Sequence, residues 1–304
     1  MTEKALACGV VPEDITESVR SRPHPYLQSC VTGYSGSRLE GFAEGTHLAL
    51  PSPYVVVVIG LGDPIEVAAP SDSTSGSRSL RSLAAALHTG PKVLAHSGRA
   101  FDISIEMTPA GALTMLGLPG SLLSDQVVDL ADLWGDDAEE LIDRTLAAEN
   151  WPARFAAVDS MLIRRARAMT RSGDPLARAW DLLLSTEGRL SVGDLAEEVG
   201  YSRRHLHHRF VAEYGMTPKQ AARLVRFQRS ADLLRRRERR RRRGHVSGVP
   251  TLSDIAVMSG FYDQAHLARD WNDLVGVPPV RMAGDRGSPI CPRQRLRFDA
   301  PWQA

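Results

Sequence analysis

Arg203, Arg204, His207 and His208 follow Ser202 at the i, i+1, i+4, i+5 spacing of one helix face. Guanidinium forks and imidazoles on the leading turns of a helix are the groups that bond base edges and phosphates in a major groove. On the opposite side of the same stretch, Leu206 and Phe210 fall at i, i+4 and supply a buried stripe. Polar chemistry outward and apolar anchorage inward is what a reading helix requires.

The elements that must position such a helix are written twice. The stretch from Asp194 to Pro218 recurs, with changes, between Asp254 and Pro279. The register offset is 60 from Ala196/Ala256 to Gly200/Gly260, and 61 from Leu206/Leu267 to Pro218/Pro279. The second turn therefore carries one extra residue. Each copy has a Leu/Ile–Ala pair for close helix approach and a glycine where the chain turns sharply. An aromatic residue (Tyr201, Phe261) then returns to the core, and Ser202 or Asp263 is a good N-cap for the next helix. Gly215 and Gly276 end the second helices, and Pro218, Pro278 and Pro279 prevent continuation. Both copies have the lettering of a helix-turn-helix, and two in one chain point to duplex DNA. The competing reading is a pair of amphipathic hairpins in an ordinary bundle.

Charge separates the chain into two parts. Residues 1–170 hold 13 Lys and Arg against 21 Asp and Glu, whereas residues 171–304 hold 24 against 15. An acidic half joined to a basic half is expected when only one part binds a polyanion. Cys8, Cys30 and Cys291 match neither a zinc spacing nor a disulfide framework, and a reducing cytoplasm is the simplest setting. The longest apolar run, Tyr54–Ile59, is far short of the ~20 residues of a membrane helix, and no signal-peptide pattern opens the sequence. No membrane contact is expected.

The predicted architecture is α+β and multidomain. Residues 1–20 read as a loose arm. Strands are predicted at His47–Leu50, Tyr54–Ile59, Ile65–Ala68, Lys92–His96 and Phe101–Thr108, with Ile103, Ile105 and Met107 on one face, and Pro70–Ser77 as a surface loop. Pro109–Leu118 reads as a short helix. Asp136 or Asp137 caps another helix, and a third opens at Trp151-Pro152. That helix carries a stripe through Phe155, Val158, Leu162, Ala166 and Met169, either domain core or the candidate seam of a homodimer. A linker, Thr170–Pro175, leads to a helix over Leu176–Ser185. The domains are then 1–170 for sensing or dimerisation, 176–285 for DNA binding with units at about 191–215 and 252–276, and a tail at 286–304.

Between the two units a helix is predicted from Lys219 to about Arg243. At about 1.5 Å per residue it would set two reading helices roughly 30–36 Å apart, close to the ~34 Å turn of B-DNA. Its end, Arg235–Arg243, has eight arginines and Glu238 in nine positions. Like-charge repulsion should fray that end, with phosphate as the compensating partner; deletion of Arg239–Arg243 should then lower the salt dependence of DNA binding.

With these residues in view, residues from about 176 to 283 resemble the DNA-binding domain of AraC/XylS-type bacterial transcription regulators. The stretches that carry the resemblance are Leu195–Leu206, Arg226-Phe227-Gln228-Arg229, Gly260–Leu267 and Gly276-Val277-Pro278-Pro279. The resemblance implies seven helices with a long central one joining two helix-turn-helix units. It also implies base and phosphate contacts at Ser202, Arg203, Arg204, His207 and His208, then at Gln264, Ala265, His266, Ala268 and Arg269. Ala265 and Ala268 are too short for most hydrogen-bonded readout, so the second unit would specify fewer bases. The N-terminal half resembles, more weakly, the sensor regions that precede this domain, through His47–Pro53 and Leu87-His88-Thr89. In many members of that family it is a cupin-like β-barrel with flanking dimerisation helices.

The function expected is sequence-specific transcription regulation in the cytoplasm, with double-stranded DNA and a small-molecule effector as partners, a homodimer as the assembly, and RNA polymerase as a partner if the protein activates. No cofactor or catalysis is expected. His47, His88 and His96 have no companion carboxylate or His-x-His pair at ligand spacing and read as structural rather than metal-binding. The glycine- and serine-rich words Gly33–Gly36 and Gly60–Asp63 match neither a nucleophile elbow nor a phosphate loop. The rivals are a DNA-tethered enzyme, which needs an activated cysteine or zinc cluster, and a constitutive DNA-binding scaffold.

Overall fold

The computed structural model describes residues 16–41, 44–67, 77–117, 119–168, 174–244, 248–279 and 302–303. The N-terminal half is built on two antiparallel sheets. Their strands are β1 (Thr16–Ser21), β2 (Val31–Leu39), β3 (Gly45–Ala49), β4 (Val55–Gly60), β5 (Ile65–Val67), β6 (Arg78–Leu80), β7 (Ser82–Ala85), β8 (Lys92–His96), β9 (Ala100–Met107) and β10 (Val127–Asp129). A short β11 (Trp302–Gln303) joins the edge of the larger sheet beside β1. The larger sheet runs β10-β7-β4-β9-β2-β1-β11 and the smaller β3-β8-β5-β6. No strand pairing joins the two sheets among the described residues.

Strand alternation gives the larger sheet two different faces. Val55, Val57, Ile59, Ile103, Ile105 and Met107 point into the main core, where α1 (Pro109–Leu116) and α5 (Trp151–Ala168) pack. Val58, Leu83, Ala85 and Val127 point the other way, toward Ile65 and Leu80 of the smaller sheet. The remaining helices are α2 (Gly120–Leu123), α3 (Leu130–Trp134), α4 (Asp136–Ala147), α6 (Pro175–Ser185), α7 (Val192–Glu198), α8 (Arg203–Tyr214), α9 (Pro218–Arg242), α10 (Leu252–Met258) and α11 (Gln264–Val275).

Four expectations are corrected. Residues 16–20 belong to β1, held by pairing with β2 rather than by their own apolar pattern. The cap of α4 is Gly135, with Asp136 and Asp137 inside the first turn, where their charges favour the positive end of the helix dipole. The α5 stripe is spent inside the chain: Trp151, Phe155, Val158 and Leu162 are buried in the core. Trp151 lies on Gly36, whose lack of a side chain lets the ring reach the sheet. A surface already covered by its own sheet does not supply the dimer seam. Finally, the arginine run stays helical to Arg242, with Arg243 as the cap. Arg235 bonds Asp232 at 2.9 Å, and cations in the last turns favour the negative end of the dipole. Pro70–Gly76 of the expected loop, the linker positions 170–173, Met169, Cys8, Cys291 and the segments 280–285 and 286–301 lie outside the described residues.

Candidate nucleic-acid interface

The first unit is α7, a turn and α8. Ser191 caps α7 by accepting from the Asp194 amide, and Leu195 and Ala196 are buried beneath it. The turn depends on Gly200 at φ +72°; there the Tyr201 amide donates to Ala196 O at 2.8 Å. Ser202 caps α8 by accepting from the His205 amide at 3.2 Å. Leu206, Phe210 and Tyr214 sink into the core, with Phe210 stacked on Trp180 and Tyr214 edge-on to it. The rest of the face is open: Arg203, Arg204, His207, His208 and Arg209 are all exposed. Arg203 folds over Gly193 of α7, occupying the space a β-carbon would take.

The second unit repeats the plan. Thr251 and Asp254 form a reciprocal capping box at the start of α10, and these bonds hold the Asp254 carboxyl below its usual range. Gly260 turns at φ +80°, Phe261 N donates to Ala256 O at 2.9 Å, and Asp263 caps α11 by accepting from His266 N at 2.7 Å. Leu267 and Trp271 are buried, while Gln264, Ala265 and Arg269 are exposed. His266 is half-buried with its ring edge-on to Phe261 at 5.3 Å, and its Nδ1 accepts from the Tyr262 amide at 3.4 Å. This imidazole has a structural task at the helix entrance. Ala268 is also half-buried.

Sequence reasoning gives Tyr262 no role, yet it is 88% exposed at the entrance to α11. One signal in the chain marks it: with Ser202 and Asp263 matched as N-caps, Tyr262 is the extra residue of the second turn.

The two units are clamped to each other through the middle of α9. Arg226 donates to Gly188 O at 2.8 Å and stands over the Phe261 ring. Arg189 donates to Met258 O at 2.6 Å, and Arg229 pairs with Glu187 at 3.1 Å. From the other side Trp271 Nε1 donates to Ser230 Oγ at 2.8 Å, and Arg223 pairs with Asp270 and Asp273. Thus α11 docks on residues 223–230 of α9.

Residues 195–283 match the sequence profile of a family described as a helix-turn-helix domain. The chain carries an AraC-type helix-turn-helix domain at its C-terminal end. That domain places it among DNA-binding transcription regulators. No curated protein matches the sequence significantly. Among solved structures, ToxT from Vibrio cholerae is 13% identical with a TM-score of 0.49, covering 87% of this chain and 98% of that one. ToxT from the O395 strain, bound to (E)-4-(8-methylnaphthalen-1-yl)but-3-enoic acid, is 10% identical with a TM-score of 0.47, covering 93% and 98%. The AraC-like transcriptional activator CuxR is 13% identical with a TM-score of 0.28, covering 81% and 100%. Likenesses this distant carry no weight for the function of this chain.

The AraC-type domain is not isolated from the sheets. α2 lies against the end of α8, where a β-carbon on Gly215 would fall 2.6 Å from that of Ser124. On another side, α9 helps close a cavity of about 90 Å³ between the two sheets. Its walls are mostly apolar, with Val56, Val58, Leu83 and Leu94 among them; Gln228 and Arg235 enter from α9. Tyr54, His88, Lys92, Ser104 and Glu106 supply the other main polar groups. Burial pushes the Tyr54 hydroxyl up to about 12, with Glu106 and Asp232 adding to it. Burial also raises the Asp232 carboxyl, against the opposing pull of Arg235.

His88 is buried, and burial holds its imidazole down at about 4. Side chains of His47 and His96 are outside the described set. Among the described residues no group of three or more His, Cys, Asp or Glu is placed to hold a metal ion, and no helix is long and apolar enough to cross a membrane.

Proposed function

We propose that the protein is a sequence-specific transcription regulator in which a small molecule entering the cavity between the sheets alters how the AraC-type domain engages DNA. The observation that carries this reading is the double role of α9: it clamps both helix-turn-helix units and also lines the cavity through Gln228 and Arg235. A ligand in contact with α9 has the means to favour one setting of the two units over another, which is the thermodynamic requirement for a switch.

In this reading α8 is the dominant reading helix. Arg204, His207 and His208 face base edges, while Ser202 and Arg203 approach the backbone. α11 contributes Gln264 and Arg269, with Ala265 and Ala268 limited to apolar contact and His266 held near the backbone by its bond to the Tyr262 amide. The units would enter successive major grooves of one asymmetric site.

The test is DNA affinity of the full chain measured by fluorescence anisotropy on a selected site, with metabolite pools added in turn. Affinity that changes with one pool supports the sensor. Affinity indifferent to every pool identifies a constitutive scaffold instead.

A further inference from the structure

The cavity's own hydrogen-bonding groups say what kind of molecule it accepts. His88 Nδ1 lies 2.6 Å from Gly90 O. A carbonyl only accepts, so Nδ1 carries the proton in that contact. In the neutral ring the other nitrogen, Nε2, is therefore an acceptor with an available lone pair. His88 lines the cavity, and no described group donates to Nε2. The neighbouring wall residue Ser104 is also buried, and its hydroxyl bonds to none of the described residues.

The cations in the wall are differently placed. Lys92 Nζ donates to Asp125 O at 2.6 Å, and Arg235 donates to Asp232 at 2.9 Å. Glu106 adds a carboxylate to the same lining. An anionic ligand would meet that like charge and would have no proton to give Nε2, whereas a neutral donor would meet an unpartnered acceptor. The volume is of the order of the ~150 Å³ cavity known to hold one benzene ring.

We infer that the cavity binds a small, neutral, single-ring molecule bearing a hydroxyl donor, of the phenol class, with the hydroxyl donating to His88 Nε2. This rests on the sensor reading above for its biological meaning, but not for its test.

Isothermal titration of the full-length protein at neutral pH with phenol, toluene and benzoate decides it. Phenol should bind at least ~10-fold tighter than toluene, the size of effect expected for one satisfied buried acceptor; benzoate should bind no better than toluene. His88→Phe keeps an aromatic ring but removes the acceptor, and should bring phenol down to the toluene level. Nitrogen-detected NMR of the wild-type imidazole provides a check that does not depend on the variant folding. The Nδ1–H tautomer should be seen, with the Nε2 resonance shifting on addition of phenol and not of toluene.

Benzoate binding tighter than phenol, a phenol preference that survives His88→Phe, an unmoved Nε2 resonance, or no binding by any of the three would each overturn the inference. Phenol that binds without altering DNA affinity would instead refute the sensor reading and leave the site intact.

Discussion

Arg204 illustrates how much a single side chain on α8 is asked to do. It is exposed on the first turn of a helix whose other face is locked by Leu206 and Phe210, so the guanidinium is presented from a fixed base. Arg204→Ala should cost about 1–3 kcal/mol in binding to the specific site and relax preference at one base pair, read by competition against single-base variants. A loss equal at all sequences would make Arg204 a backbone contact.

His88 gives a second residue-level prediction. Its folded value near 4 lies below the ordinary histidine value of 6.5, so the unfolded chain binds the extra proton first as pH falls. Stability contributed by neutral His88 is complete above about pH 6.5 and is lost progressively as pH drops towards 4. The loss is about 3 kcal/mol from this group alone. Denaturant unfolding at neutral and mildly acidic pH measures it, and His88→Phe should lessen the difference between the two.

At the scale of elements, the tight fit of the turn before α7 against α9 should be sensitive to very small additions. Gly188 sits at φ +70°, and a β-carbon there would fall 2.5 Å from Ala222 O. Gly188→Ala should therefore destabilise the domain by about 1–3 kcal/mol in denaturant unfolding and loosen the Arg226 clamp. The end of α9 makes the opposite kind of prediction. Arg240, Arg241 and Arg243 are exposed on a helix that remains regular. Replacing all three by Gln should leave folding intact and reduce the slope of log K against log salt by about 0.9 for each phosphate no longer neutralised. An unchanged slope would remove the run from the interface.

These elements also mark what could be read directly from the chain. The helix-turn-helix pairs were legible because each needs a cap, a left-handed glycine and an i, i+4 apolar pair close together in sequence. α9 was legible as a helix from Lys219, one residue inside its start at Pro218 under the Thr217 cap. β1, β2 and β7 were not: their pairing partners come from elsewhere in the chain, and β2 contains Gly33 and Gly36, which depress any strand signal. The cavity was hidden for the same reason, since it forms only when the second faces of two sheets meet α9. The α5 stripe was visible, but nothing local told whether a sheet or a second copy would cover it.

For the whole molecule, the sheets and the AraC-type domain share one continuous hydrophobic core, so movement of one against the other needs a contact that can reset. α9 provides the candidate, with Arg235 at the cavity and Arg226 at the clamp on the same helix. Replacing Arg235 with Met should keep the stem's packing while removing its bond to Asp232. The expected result is DNA affinity that no longer responds to whatever ligand moves the wild type, with the ligand-free affinity kept. A full response in the variant would place the coupling elsewhere, such as the α2–α8 contact.

Joint reading of one duplex by α8 and α11 is the property on which the rest depends. Methylation-interference mapping of the full chain on a site recovered by in vitro selection tests it most directly. Two patches of major-groove interference, on one face and about 10–10.5 base pairs apart, are the predicted result. A single patch, or two on opposite faces of the duplex, would contradict it.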